Sequence, residues 1–365
     1  MKKILQSDGF KNLSSSCIAI LVGLVIGIAV IVLSNSSGAS GGISALLTGP
    51  VEDGMAGIGR VIYYAVPIIM TGLSVGFAFK TGLFNIGTPG QFIVGAFAAV
   101  YIGVKWTFLP GGLHWIIALL GAFIAGGIWA IIPGVMKAYL NVNEVISSIM
   151  MNYIGLYFVN YSVTLTIYDQ LRNQSQGVAS TAIIPKLGLD KLFEGSQANG
   201  GFFIAILFIV IIYIILNKTT FGYEMKACGF NKDASRYAGI NEKKNIVLSM
   251  VIAGALAGIG GGLLYLSGSG KFIEVVDVMP AEGFNGIPVA LLGLSNPIGI
   301  LFAGLFIAYL NVGGSLMQQF GFIPQIVDII ISCIIYCSAL SLMIKLFLES
   351  RKKKKKLNDI SKGGN

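Results

Sequence analysis

The sequence predicts an all-α fold, a polytopic membrane helical bundle of about ten transmembrane helices with both termini cytoplasmic. Three observations carry that prediction. Of 365 residues, 55% are hydrophobic and 11% charged, and the mean hydropathy is +0.81; soluble domains carry about 25% charged residues. That excludes a water-soluble globule, and it excludes a disordered chain, which needs low hydrophobicity and high net charge. Apolar runs then recur at the length of a bilayer crossing, roughly 20 residues. Finally, Lys and Arg are shared unequally among the loops between those runs.

In chain order the runs lie near residues 17–33, 61–79, 88–104, 114–136, 145–166, 202–216, 246–268, 284–294, 298–315 and 325–344. Only the last holds a charge, Asp328 near its start. The first run follows Lys2, Lys3 and Lys11 and precedes Gly38, Ala39 and Ser40, which imitates a secretory signal. It is longer than the apolar stretch of about 7–15 residues in a cleaved signal, so it reads as an uncleaved helix. The eighth run, at about 11 residues, reaches only about 17 Å. It is either a half-helix lining a cavity or a longer span that begins before Glu282.

Orientation follows from the basic residues. With ten crossings and an inner N-terminus, 19 of the 25 Lys and Arg residues fall inside, giving +12 inside, −3 outside and +9 in total. An odd number of crossings would strand one basic terminus outside. The basic pI of 9.3 is therefore a topology signal, and no nucleic-acid partner is expected. The run Lys352–Lys356 suits the anionic lipid of the inner leaflet, at about 1 kcal/mol per charge, or is a solvated tail. The expected organisation is a transmembrane domain over 1–348, with a loop at 217–245, and a basic cytoplasmic tail over 349–365.

Glycine is the second oddity, 49 residues or about 13% against a usual 7% or so. Helices in lipid associate through close backbone approach at small residues. Gly254, Gly258 and Gly262 recur every four residues, as do Gly23 and Gly27, and Ala118, Ala122, Gly126, Ala130 and Gly134. Each row predicts a packed helix face. A second set sits beside amides, in TGLFNIG (81–87) and GFNGIP (283–288). Phe84 and Asn85 recur there as Phe284 and Asn285, either by chance or as marks of inverted halves with broken helices.

Catalytic chemistry is not visible. SGSGKF (267–272) lacks the first Gly and the Ser or Thr of a phosphate loop. The single histidine, His114, has no acidic neighbour, and Cys17, Cys228, Cys333 and Cys337 form no disulfide framework. Neither a cofactor nor a metal is expected. The runs lack the carboxylates of an ion relay, and Asp328 and Glu144 sit at helix ends where capping explains them. Energy should then come from a partner. The loop 217–245 offers helix-compatible Glu224–Cys228, a break at Gly229, and a second stretch from Asp233 to Ala238. Ala227, Ala234, Tyr237 and Ile240 give it a small apolar face flanked by charge, suited to a groove on another protein.

The pattern Gly229, Ala234, Tyr237, Ala238, Gly239 resembles the coupling loop of bacterial ABC importer permeases. Together with TGLFNIG (81–87), Gln91, NEVISSIMMNYI (143–154) and GFNGIPVALLG (283–293), it resembles the nucleoside-type importers of the ribose and branched-chain amino-acid permease superfamily. Pro89 stands where that pattern has an acidic residue. The resemblance implies a transport subunit, not an enzyme, that works with two ABC ATPase subunits or a fused ATPase, a second related permease subunit and an extracellular substrate-binding lipoprotein. Coupling to the ATPase falls on Glu224, Ala227, Gly229, Ala234, Tyr237 and Gly239. For the substrate pathway the candidates are Asn85, Ser148, Asn152, Phe284 and Asn285. On the fifth run Asn160 shares the Ser148 and Asn152 face, while Tyr153, Tyr157 and Tyr161 either stack a base or form an interfacial belt. Alternatives are a permease for ribose-type sugars and an ion-independent secondary carrier, which would move substrate when reconstituted alone.

Overall fold

The computed structural model of the chain describes residues 8–337, with side chains from residue 20 onward. The basic tail over 349–365, the Lys352–Lys356 run and the end of the tenth apolar run lie outside the described residues. Every apolar run contains helix. The long helices are α1 (Asp8–Ser34), α4 (Gly54–Lys80), α5 (Thr88–Lys105), α6 (Gly111–Leu140), α7 (Glu144–Thr166), α9 (Gly201–Lys218), α12 (Glu242–Tyr265), α15 (Pro297–Met317) and α16 (Gln325–Cys337). Short helices α2 (Ala39–Leu47) and α3 (Gly49–Glu52) join the first two. Among the described residues, α4, α6, α9, α12 and the stretch Pro297–Phe320 are long and apolar enough to cross a membrane.

The chain forms two compact units, one from Gly49 to Val312 and one from the segments on either side. In the larger unit α12 is central, packed on α4, α5 and α6. The apolar stretches of α4 and α12 are 89% and 78% buried, whereas those of α6 and α9 are 33% and 28% buried and turn large apolar side chains outward. The small-residue rows explain the contact. A Cβ at Gly254 would strike Ala130 and the Gly126 carbonyl, and one at Gly258 would strike the Ala122 carbonyl and lie 3.0 Å from Gly126 Cα. The two rows predicted separately face each other. From the other side, Gly95 of α5 closes on the Gly258 backbone, and Gly261 meets the Phe92 carbonyl. Such spacing lets three helices approach to backbone contact, the main source of helix association in lipid. In the smaller unit the Gly23 and Gly27 row of α1 packs on Ile334 and Ile330 of α16.

Two segments differ from the simplest sequence expectation. The eighth run is broken into α13 (Ala281–Phe284) and α14 (Gly286–Leu292), with Asn285 between them. Together they reach about 18 Å, and the first of them begins at Ala281, one residue before Glu282. Packing dictates the break: a Cβ at Gly283 would lie 2.6 Å from Pro89 Cα, and one at Gly286 would lie 2.5 Å from the Thr71 carbonyl carbon. Thr71 Oγ1 also donates to the Glu282 carbonyl at 3.2 Å.

The second correction concerns Gly229. It does not end a helix, because α10 (Thr220–Phe230) runs through it. The break falls at Asn231, whose extended backbone (φ −157°, ψ 109°) starts α11 (Lys232–Tyr237) and whose Oδ1 accepts from the Ala234 N–H at 3.0 Å. Asn is a preferred N-cap because its carbonyl satisfies a first-turn donor. Gly229 is small for another reason, the contact described below.

Segment 167–201 folds as a cap over the opposite ends of these helices. It carries a hairpin of β1 (Tyr168–Asp169) and β2 (Gln174–Ser175) and a four-residue helix α8 (Leu189–Leu192). The hairpin is extended by the 273–275 backbone, with Ser175 N–H donating to the Ile273 carbonyl at 2.8 Å and Val275 N–H to Asn173 at 3.1 Å.

Candidate functional site

The loop 81–87 between α4 and α5 is the centre of the polar architecture. Asn85 is fully buried. Its Nδ2 donates to Gln91 Oε1 at 2.8 Å, and its Oδ1 accepts from Gln91 Nε2 at 3.1 Å and from the Gly87 N–H at 3.1 Å. This paired amide clasp folds the loop back onto the start of α5. Asn152 of α7 closes it from the other side, accepting from the Gly90 N–H at 2.9 Å and donating to the Ile86 carbonyl at 3.0 Å. Ser148, one turn earlier, is buried against Gly87 with no partner for its hydroxyl. Asn152 lies eight residues into α7, about 12 Å along its axis, so α5 begins inside the bundle and not at its end. Pro89 in its first turn has no N–H to satisfy there.

Phe284 and Asn285 reach the same level through the Gly283–Pro89 contact. Unlike the fully buried Asn85, they are accessible: Phe284 is exposed and Asn285, like Phe84, is partly buried. Broken helices that meet inside a bundle are the usual frame of a transport pathway, because irregular backbone at that depth survives only inside protein or beside a cavity. Of the five pathway candidates, then, Asn85 and Asn152 tie the loop to α5 and α7, Ser148 lies beside Gly87, Phe284 is exposed and Asn285 is partly buried.

The same loop meets the segment 217–245. A Cβ on Gly229 would lie 2.5 Å from the Thr81 carbonyl carbon and 2.7 Å from the Gly82 nitrogen, so α10 rests backbone to backbone on the first residues of TGLFNIG. Thr81 in turn hydrogen-bonds Ser249 of α12. Four residues separate this contact from the Asn85 clasp. Gly229→Val is expected to cost about 1–3 kcal/mol by overpacking, read as a lowered thermal midpoint of the purified protein.

At the tip of the segment Tyr237 is 95% exposed and Phe230 89% exposed, and Ala234 and Gly239 are also open. Glu224 and Ala227 are partly buried. Gly239 has φ +82° and ends α11, a left-handed position that glycine takes at least cost. Sequence reading missed Phe230. A large apolar residue immediately before a capping Asn was the available signal.

Residues 57–339 match the family described as the branched-chain amino acid transport system / permease component. The chain belongs to that family. It is 39% identical to the guanosine ABC transporter permease protein NupP of Bacillus subtilis over 92% of its own length and 96% of that protein. It is 37% identical to the nucleoside ABC transporter permease protein NupB of Lactococcus lactis, over 81% of the chain and 82% of NupB. A second Bacillus subtilis protein, the guanosine ABC transporter permease protein NupQ, is 28% identical over 73% of the chain and 84% of NupQ. No solved structure matches the chain. It is an integral membrane protein by family and by its apolar helices.

His114, Glu144 and Lys271 of this permease make structural contacts. His114 is buried, with Nδ1 2.8 Å from Thr181 Oγ1 and Nε2 3.0 Å from the Ile102 carbonyl. Asn143 caps α7, accepting from the Val145 N–H, while Glu144 in the first turn pairs with Lys137 at 2.6 Å. Near the hairpin cap, burial lowers the Lys271 ammonium, but Glu282 at 2.7 Å outweighs this and holds its pKa above the usual value. Among the described residues no cluster of His, Cys, Asp and Glu is arranged to hold a metal.

Proposed function

We propose that this permease translocates nucleosides across the cytoplasmic membrane of a bacterium as one membrane subunit of an ABC importer. The observation that carries the reading is the 39% identity to a guanosine permease along nearly the whole chain. The chain crosses the membrane about ten times with both termini inside, as its loop charges favour. Two ABC ATPase subunits, or a fused ATPase, bind the cytoplasmic segment 217–245. An extracellular lipoprotein delivers the substrate. A second related permease completes the pathway, a reading supported by the presence of two similar guanosine permeases in Bacillus subtilis.

In this mechanism the ATPases grip α10 and α11 through Tyr237, Ala234 and Gly239, with Glu224 and Ala227 shaping the base of the segment. Closure of the ATPases displaces α10, and the Gly229 contact passes that displacement to Thr81 and Gly82. The rigid Asn85–Gln91 clasp and the Asn152 bonds carry it to α5 and α7. There the gap beside Phe284 and Asn285 opens toward one side or the other. A transition of this kind needs packed elements with two discrete arrangements.

The test is Ala234→Glu in the complete importer. Ala234 is exposed, so insertion and folding should persist while ATP-dependent guanosine uptake into proteoliposomes is lost. Unchanged uptake would remove the coupling role from α11.

A further inference from the structure

We infer that the permease carries its own nucleoside-binding vestibule, a site separate from the gap at Phe284 and Asn285, between the last two turns of α7 and the strand-like segment 275–277. The inference rests on the nucleoside importer reading and adds a ligand site to it. A cavity of about 360 Å³ opens there, lined by Tyr157, Asn160, Tyr161, Thr164, Val276 and Asp277, large enough for one small ligand.

Apart from the two tyrosine hydroxyls, which can donate or accept, its side-chain polar groups present acceptors. Asn160 is nine-tenths buried, and its Nδ2 is committed to the Val276 carbonyl at 2.9 Å. Its Oδ1 has no partner at all, which is rare for a buried amide oxygen and calls for a ligand or water. Thr164 spends its hydroxyl proton on the Asn160 carbonyl at 2.8 Å, leaving oxygen lone pairs. Asp277 adds a carboxylate at the rim. The unpaired Asn160 oxygen and the Asp277 carboxylate favour a ligand that brings N–H and O–H donors and disfavour an anionic phosphate or carboxylate.

Tyr157 and Tyr161, one helical turn apart on the exposed face of α7, supply the other half of the recognition. Their rings offer a flat apolar surface, and aromatic side chains stack bases of any sequence because every base has a π-face. A planar base joined to a hydroxyl-bearing sugar satisfies both halves. A simple sugar fills only the polar half.

The test uses the complete importer in proteoliposomes, with native cysteines replaced and Val276→Cys introduced as a reporter, since Val276 lines the cavity through an accessible side chain that takes no part in the recognition. A membrane-impermeant thiol reagent should label that cysteine from outside, and saturating guanosine should slow labelling by about tenfold, the ratio that 90% occupancy gives. Guanosine monophosphate and a dideoxyguanosine lacking both ribose hydroxyls should protect far less. Tyr161→Ala, at an exposed position that tolerates truncation, should abolish protection, and so should Asn160→Leu. A cysteine that resists labelling without nucleoside overturns the open cavity. Equal protection by guanosine monophosphate overturns the acceptor-based selection. Absent protection alongside ATP-driven guanosine uptake overturns the vestibule alone, whereas absent uptake of any nucleoside overturns the importer reading and the vestibule with it.

Discussion

A Gly258→Leu permease is expected not to accumulate as a folded protein. Three helices converge on this position: a side chain there would enter the Ala122 carbonyl and Gly126 of α6, and Gly95 of α5 already touches its backbone. None of these atoms is the end of a flexible side chain, so relief requires moving whole helices apart. Overpacking a core usually costs about 1–3 kcal/mol and occasionally more; backbone-to-backbone contact on two sides puts this site at the upper end. Because α12 is the element against which α4, α5 and α6 all pack, the loss should spread to the whole larger unit. Size-exclusion chromatography of detergent-solubilised protein is the measurement, with Gly112→Ala as the control, since nothing lies within 4 Å of a Cβ at Gly112. Wild-type recovery and thermal midpoint for Gly258→Leu would refute the three-helix junction.

Asn152→Leu should have the second largest effect. Leu keeps the branched shape of Asn but is larger, so crowding adds to the main loss, in which the Gly90 N–H and the Ile86 carbonyl lose their partner together. Each buried polar group left unpaired costs about 1–3 kcal/mol, and removing one partner of a bond is worse than removing both. The expected destabilisation is about 2–6 kcal/mol on that basis, with loss of uptake because the start of α5 is no longer tied to α7. Asn152→Asp separates the two bonds. It keeps an acceptor for Gly90 and loses the donor to Ile86, so its thermal midpoint should fall between wild type and Asn152→Leu. Equal midpoints for all three proteins would mean that the clasp does not hold α5 in place.

The legible parts of the protein share one property, which is that they repeat. Apolar runs at bilayer length and glycines every four residues are periodic signals that survive in one dimension. Every run contains helix, and the rows at Gly254 and Ala118 each predicted a packed face. What the rows could not say is that they face each other, since a period of four marks a face without naming its partner. The segment 217–245 shows the same limit at closer range. Gly229 read as a helix break because glycine is a poor helix former, yet it lies inside α10, where the approach of Thr81 and Gly82 outweighs that local preference.

The candidate site was legible as residue types and illegible as roles. Asn85 and Asn285 look alike in sequence, each following Phe beside a glycine. In the structure Asn85 is closed into a clasp with Gln91, while Asn285 interrupts two short helices and stays accessible. An amide pair six residues apart is not periodic, and the contact that places Asn285 joins Gly283 to Pro89 from nearly two hundred residues away.

The sequence by itself determined that this is an apolar, helical membrane protein, where its small-residue faces lie, and the family to which its motifs belong. Those properties are additive along the chain: transfer into a membrane depends on the side chains present in a run, and close packing on the absence of them at a fixed spacing. Only the tertiary structure decided which glycine rows meet, where the eighth run breaks, and that the loop 81–87 touches the segment 217–245 at one end and α7 at the other. These depend on backbone hydrogen bonds and excluded volume between distant segments, terms that exist only once the helices are assembled.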